Sequence, residues 1–355
     1  MRFIKILIAF VLISAAALAA RQWGRTTRPN SLMKVSEKTQ VSVRPELEIT
    51  SQIPRGVEGK YDLMDVALLD EKKAWAVGYD GQHVNRVYYS TDTGATWQPI
   101  EVLGRDFTFH AISFVDSQHG WAVGGNGLLI RTIDGGKSWE LLKTPTKTDL
   151  HSVRFVNSMV GYIAGNERFG SKTSEEVWGS VEILCTKDAG ETWRRCYKEN
   201  QPLSVFQITT PSESEALVVL GDHVMRTEDK GKTWQKVQLS EKYISSIAFA
   251  ADGTGWLVGS HGAFQVSHDR GKTWERAVGL PDDFVKRDWW QVAFNDKGTG
   301  LAVGENDTLA LTTDNGQTWK LEDLKTGDHL RAVRLQGFRA IILGSQNAYS
   351  IRLSN

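Results

Sequence analysis

What this chain lacks first is net charge: its 42 Lys and Arg balance 42 Asp and Glu. A surface with no global field does not hold nucleic acid or an anionic membrane by bulk attraction, so an electrostatic partner must be read by a local patch. Nucleic acid is therefore not an expected partner. Cysteine is nearly missing, with Cys185 and Cys196 alone in 355 residues. With no second Cys pair or accompanying His, these two do not form a zinc site, and no metal is expected. The sequence also has no phosphate-cradling glycine loop, no Gly-x-Ser-x-Gly elbow and no His-Glu-x-x-His pair, and its 8 histidines are scattered. No cofactor is expected. Past the first twenty residues there is no sustained helical periodicity, and Pro numbers only 8 against 33 Gly and 13 Trp. Many tight turns anchored by aromatics suit repeated β structure.

The N-terminus reads as a targeting segment. Arg2 and Lys5 precede an uncharged run over 6–20, and Ala17-Leu18-Ala19 offers a small-x-small cleavage site before Arg21. At fifteen residues the run is short of the roughly 20 that a bilayer span requires. The expectation is an exported protein, in a periplasmic, extracellular or thylakoid-lumen-like compartment. It is either released from a cleaved signal peptide or held by an uncleaved anchor, which would be its only membrane contact. No twin-Arg pair or nearby Cys accompanies the site. Residues 21–40 read as a polar tether, and 41–355 as the folded domain. Cys185 and Cys196 flank a predicted hairpin turn. In an oxidising compartment they can bridge; the alternative is two buried free thiols.

One eight-residue pattern, Ser/Thr-x-Asp-x-Gly-x-Thr/Ser-Trp, recurs at 90–97, 132–139, 186–193, 227–234, 267–274 and 312–319. Its aspartates are Asp92, Asp134, Asp188, Asp229, Asp269 and Asp314. Its closing tryptophans are Trp97, Trp139, Trp193, Trp234, Trp274 and Trp319, separated by 42, 54, 41, 40 and 45 residues. A short acid accepts backbone N–H groups inside its own turn. Glycine two positions later permits positive φ, and the Trp covers apolar surface between layers. These acids are read as turn-holders, not catalysts. Seven inner strands are predicted at 64–70, 110–116, 151–157, 206–212, 245–251, 290–296 and 331–337, spaced as four-stranded propeller blades. Six turn motifs and seven inner strands leave the last blade one strand short, and 41–51 is the candidate donor that removes the free edge. The fold expected is all-β, a single seven-bladed propeller with Asp-box hairpins, its ring closed by an N-terminal strand.

With Gly120–Gly124 (GWAVG) leading into the 132–139 box, the sequence resembles the BNR/Asp-box repeat proteins. Within them it is most similar to the photosystem II stability/assembly factor-like family. The likeness covers roughly 45–355. It implies a non-catalytic scaffold that binds a protein client, a membrane complex or its subunit. Sialidases and glycoside hydrolases also carry Asp boxes, so a glycan-active enzyme or a carbohydrate-binding module is the alternative. A sialidase would need an Arg-Ile-Pro element, and the order here is Ile53-Pro54-Arg55. Glycoside hydrolysis needs paired carboxylates. The expected channel level of Ala111, Ser152, Gln207, Ser246, Gln291 and Ala332 carries Asp65 as its single acid. Partner contacts are expected on the face where chains enter the inner strands, at His110, His151, Arg287, Trp289, Trp290 and Arg331. Arg168 and Trp178, in an insertion over 166–180, join them.

Overall fold

Short apolar runs broken by glycine bury both faces of a sheet only when other sheets cover each side. The computed structural model describes residues 47–54, 62–80, 84–100, 102, 108–170, 177–201, 203–241 and 243–353. They belong to one unit, Arg44–Asn355, and form seven four-stranded antiparallel sheets with no α-helix among them. The inner strands are Asp62–Leu68, Phe109–Phe114, Asp149–Phe155, Gln207–Ser212, Ile244–Phe249, Trp289–Phe294 and Leu330–Gln336. Each overlaps its predicted segment. Consecutive inner strands lie side by side, including the last against the first, so the ring is closed. The targeting segment, the tether and 41–46 lie outside the described residues.

The second strands explain why the core is layered rather than central. Gly120–Gly124, Glu215–Val219, Gly255–Gly259 and Gly300–Gly304 are buried at every residue, with no polar-out alternation. Each sheet is sandwiched, so its residues pack onto the blade on either side. Leu301 and Leu311 of blade six pack with Leu330, Val333 and Tyr349 of blade seven. Trp121 of blade two packs with Leu150 and Phe155 of blade three.

Blade seven takes its outer strand from the other end of the chain. Leu47–Pro54 pairs antiparallel with Asn347–Leu353, from Leu47↔Leu353 to Pro54↔Asn347, and Glu48 pairs with Arg352. The donor strand is real, and it covers an edge that would otherwise offer unpaired N–H and C=O groups. This blade has no Asp box. Its turn is organised by Asp328, which is 1% exposed and accepts from the N–H groups of His329, Ser345, Gln346 and Asn347 and from the hydroxyls of Ser345 and Tyr349.

The six boxes share one hydrogen-bond circuit. In blade two, Thr132 Oγ1 donates to Asp134 Oδ1 (2.8 Å) and accepts the Gly136 N–H (2.8 Å). Asp134 also accepts the Ser138 N–H (2.9 Å) and hydroxyl (2.6 Å). The box glycine does more than permit φ near +84° at Gly136. A Cβ there would lie 2.8 Å from Trp75 Nε1, and one on Gly316 would lie 2.3–2.4 Å from the Trp256 ring. Each box therefore lands on the second strand of the preceding blade. Trp121 Nε1 donates to Ala189 O (3.0 Å) and Trp256 Nε1 to Asn315 O (2.9 Å) across that seam. Box tryptophans meet inner-strand rings edge-on, as in Phe155–Trp193 (5.8 Å) and Phe294–Trp319 (5.8 Å). Cys185 and Cys196 form a disulfide with Cα atoms 6.0 Å apart, joining the third and outer strands of blade three.

Candidate functional site

The inner strands build two sites, a channel and its mouth. An inner strand is the edge of its own sheet, so half its N–H groups need a partner from outside. Those partners come from the preceding blade. Asp65 Oδ2 accepts Ile112 N–H (3.0 Å), Ser152 Oγ accepts Ile208 N–H (3.0 Å), and Gln207 Oε1 accepts Ile247 N–H (2.9 Å). Ser246 Oγ accepts Val292 N–H (3.2 Å), and Gln291 Oε1 accepts Val333 N–H (2.7 Å). The level expected to line a bland channel is thus a girdle of blade-to-blade clips. Ala111 and Ala332 interrupt it because they carry no acceptor.

The channel's charge lies two residues further along each strand, where strand alternation returns side chains to the same face. That level reads Ala67, Ser113, Arg154, Thr209, Ala248, Ala293 and Arg334, all lining a cavity of about 310 Å³. Asp65 remains the single lining acid among the described residues, but two arginines accompany it, so the channel gathers charge where the sequence placed only small and uncharged polar side chains around Asp65. Arg334 Nη2 donates to Asp65 Oδ1 (2.6 Å) and its Nη1 to Gln291 Oε1 (2.7 Å).

The mouth is set by a β-bulge repeated in six blades. The register skips Met64, His110, His151, Ser245, Trp290 and Arg331, each the second or third residue of its inner strand. In blade four Phe206 holds the equivalent place, its N–H on Val219 O. A bulge frees a residue from the ladder and re-aims its side chain. His110 and His151 stack with centroids 4.9 Å apart and planes at 6°, and Arg331 lies over the Trp290 ring at 5.7 Å. Met64, Phe206 and the neighbouring Tyr243 are 44%, 51% and 63% exposed.

Four expected contact residues, His110, His151, Trp290 and Arg331, are brought together at this rim. Trp289 is not available: it is fully buried, edge-on to Phe264 and tilted against Phe284, with Nε1 donating to Phe284 O (3.2 Å). The bulge puts only the second of the two adjacent tryptophans on the surface. Arg287 is half-buried, with Nη1 donating to Thr308 Oγ1 (3.0 Å). The insertion is a lengthened hairpin, Gly161–Gly170 against Val177–Thr186, in which Arg168 pairs with Gly179 and Trp178 with Phe169. The side chains of Arg168 and Trp178 lie outside the described residues. Met64 and Phe206 were missed in sequence, although their places at the start of inner strands matched those of His110 and His151.

Comparison with known proteins agrees with this architecture. The family described as "Photosynthesis system II assembly factor YCF48" matches residues 96–237, and the BNR/Asp-box repeat matches 265–276. The chain is 34% identical over 85 residues to the chloroplastic photosystem II stability/assembly factor HCF136 of Arabidopsis thaliana (23% of this chain, 21% of that one). It is 26% identical over 231 residues to the photosystem II assembly lipoprotein Ycf48 of Synechococcus sp. strain CC9902 (62% of this chain, 64% of that one). These matches span less than two thirds of the relatives' own lengths. A solved structure of YCF48 bound to D1 peptide superposes with a TM-score of 0.66 at 19% identity, covering 87% of this chain and 97% of that one, and so shares the fold. The chain is a seven-bladed β-propeller with Asp-box turns, and it is similar to the photosystem II stability/assembly factors.

Proposed function

We propose that this propeller is a non-catalytic, extracytoplasmic scaffold whose channel mouth receives a protein client, a membrane complex or one of its subunits. The observation that carries the reading is the bulge ring. It sets aromatic, aliphatic and cationic side chains around one opening, the composition favoured at interaction hot spots. Trp290 and Arg331 are its centre, since the half-buried Trp290 ring with the exposed Arg331 over it presents a flat contact with a charge beside it. Two relatives named as photosystem II assembly factors, and a fold neighbour carrying a peptide, support a protein client over a glycan. The targeting segment supports export.

A glycan hydrolase is less well supported. It would need two carboxylates flanking a bond, whereas Asp65 alone lines the channel among the described residues and is committed to Arg334 and Ile112. The test is quantitative capture from native membranes with the wild type, Trp290→Ala and Arg331→Ala. Recovery of a defined membrane subunit should fall at least about tenfold in each variant, the loss of a hot-spot residue. Equal recovery by all three, or turnover of a glycan by the wild type, would refute the reading.

A further inference from the structure

The channel holds an imbalance that client docking at the mouth does not use. Arg334 is satisfied by Asp65, by Gln291 and by Val333 O. Arg154, on the inner strand of blade three, lines the same cavity with no hydrogen-bonding or ionic partner among the described residues. Its side chain is open to the channel rather than packed in protein, and the charge of Arg334 acts against its own while Asp65 acts for it. Two guanidiniums and one carboxylate leave one uncompensated positive charge in a narrow well. Alanines at 67, 248 and 293 on the same level keep space open beside them.

We infer that the central channel is an anion site, in which Arg154 and Arg334 together take the oxygens of a small carboxylate or phosphate. The guanidinium fork suits both, because its paired N–H donors match two oxygens of either group. Arg334 is already oriented by Asp65 and Gln291, so binding orders mainly Arg154. The ligand neutralises the excess charge and separates the two cations. Gln207 also lines the cavity, and with its Oε1 taken by the Ile247 N–H its amide group can offer only donors. No covalent step is involved.

The experiment is thermal unfolding of the whole chain in sodium phosphate, sodium acetate and sodium chloride at equal ionic strength, with wild type, Arg154→Gln and Arg154→Lys. Wild type should gain about 3 °C or more in phosphate, acetate or both over chloride, by preferential binding to the folded state. The two salts distinguish the phosphate source from the carboxylate source. Arg154→Gln should lose that increment, which subtracts the general salt effect of phosphate, and Arg154→Lys should keep part of it. Titration calorimetry of wild type with phosphate and with acetate reads binding without a variant. An equal increment in Arg154→Gln, or no heat and no increment for wild type in either salt, overturns the inference.

Discussion

Gln291 Oε1 accepts the N–H of Val333 at 2.7 Å across the seam between blades six and seven, and it also receives Nη1 of Arg334 at 2.7 Å. One side chain thus closes a sheet edge and aims a channel arginine. Gln291→Leu keeps the volume and removes the acceptor, leaving the Val333 N–H without its partner at a buried residue. The expected loss is about 1–3 kcal/mol, read from urea unfolding at constant slope. An unchanged midpoint would show that the clip is ornamental.

Asp328 holds the turn of the blade that has no Asp box. Replacing it with Ala leaves the Ser345, Gln346 and Asn347 N–H groups and the Tyr349 hydroxyl without their acceptor. A loss of about 3 kcal/mol or more is expected, with damage concentrated where the chain ends meet. Hydrogen exchange should report loss of protection in 330–353 first; uniform protection would count against this role.

Acid should weaken the propeller through its boxes. The Ser138 hydroxyl and N–H hold Asp134 at about 2, and the Thr233 N–H and hydroxyl hold Asp229 at about 2. At Asp269 burial works the other way, but the bonds from Thr273 and Ser267 outweigh it and bring the value to about 2. These folded-state values lie below the unfolded value of about 3.9. The stabilisation is therefore complete above about pH 4 and is lost as pH falls through about 2. Chemical unfolding followed from pH 6 to 2 should show that window; a stability flat across it would contradict the assignment.

The glycine of each box is predicted to be irreplaceable for two separable reasons. Gly316 and Gly253 both sit at positive φ, +91° and +88°, but a Cβ at 316 meets the Trp256 ring while one at 253 meets nothing within 4 Å. Gly253→Ala should cost about 1 kcal/mol for the backbone alone. Gly316→Ala should cost about 1–3 kcal/mol more, for overpacking. Equal costs would mean that the seam yields.

The Cys185–Cys196 bridge closes a loop of 11 residues. Reduction, or the double Cys→Ser variant, should lower stability by about 3 kcal/mol on the chain-entropy account. Identical midpoints with and without reductant would remove the bridge from the list of stabilising elements.

Much of the fold was legible because the Asp box is local. Hydroxyl, acid, glycine and Trp lie within eight residues, so their spacing alone specifies the turn, and the repeat interval specifies the blade. The donor strand was legible by counting. Trp289 and Trp290 were not distinguishable, since both sit at the start of a strand and only the bulge decides which one is freed. Asp328 carried no motif, because its partners at 345–349 surround it only after the blade folds.

The sequence by itself determined the turns, the number of blades and the strand order of the first six, since each rests on contacts between residues near one another along the chain. Tertiary structure alone decided that Arg154 and Arg334 share one well, that Asp65 is committed to a neighbouring blade, and that six bulged residues and Phe206 ring one opening. Ring closure is what juxtaposes those residues, and no local pattern encodes which side chains meet across an axis.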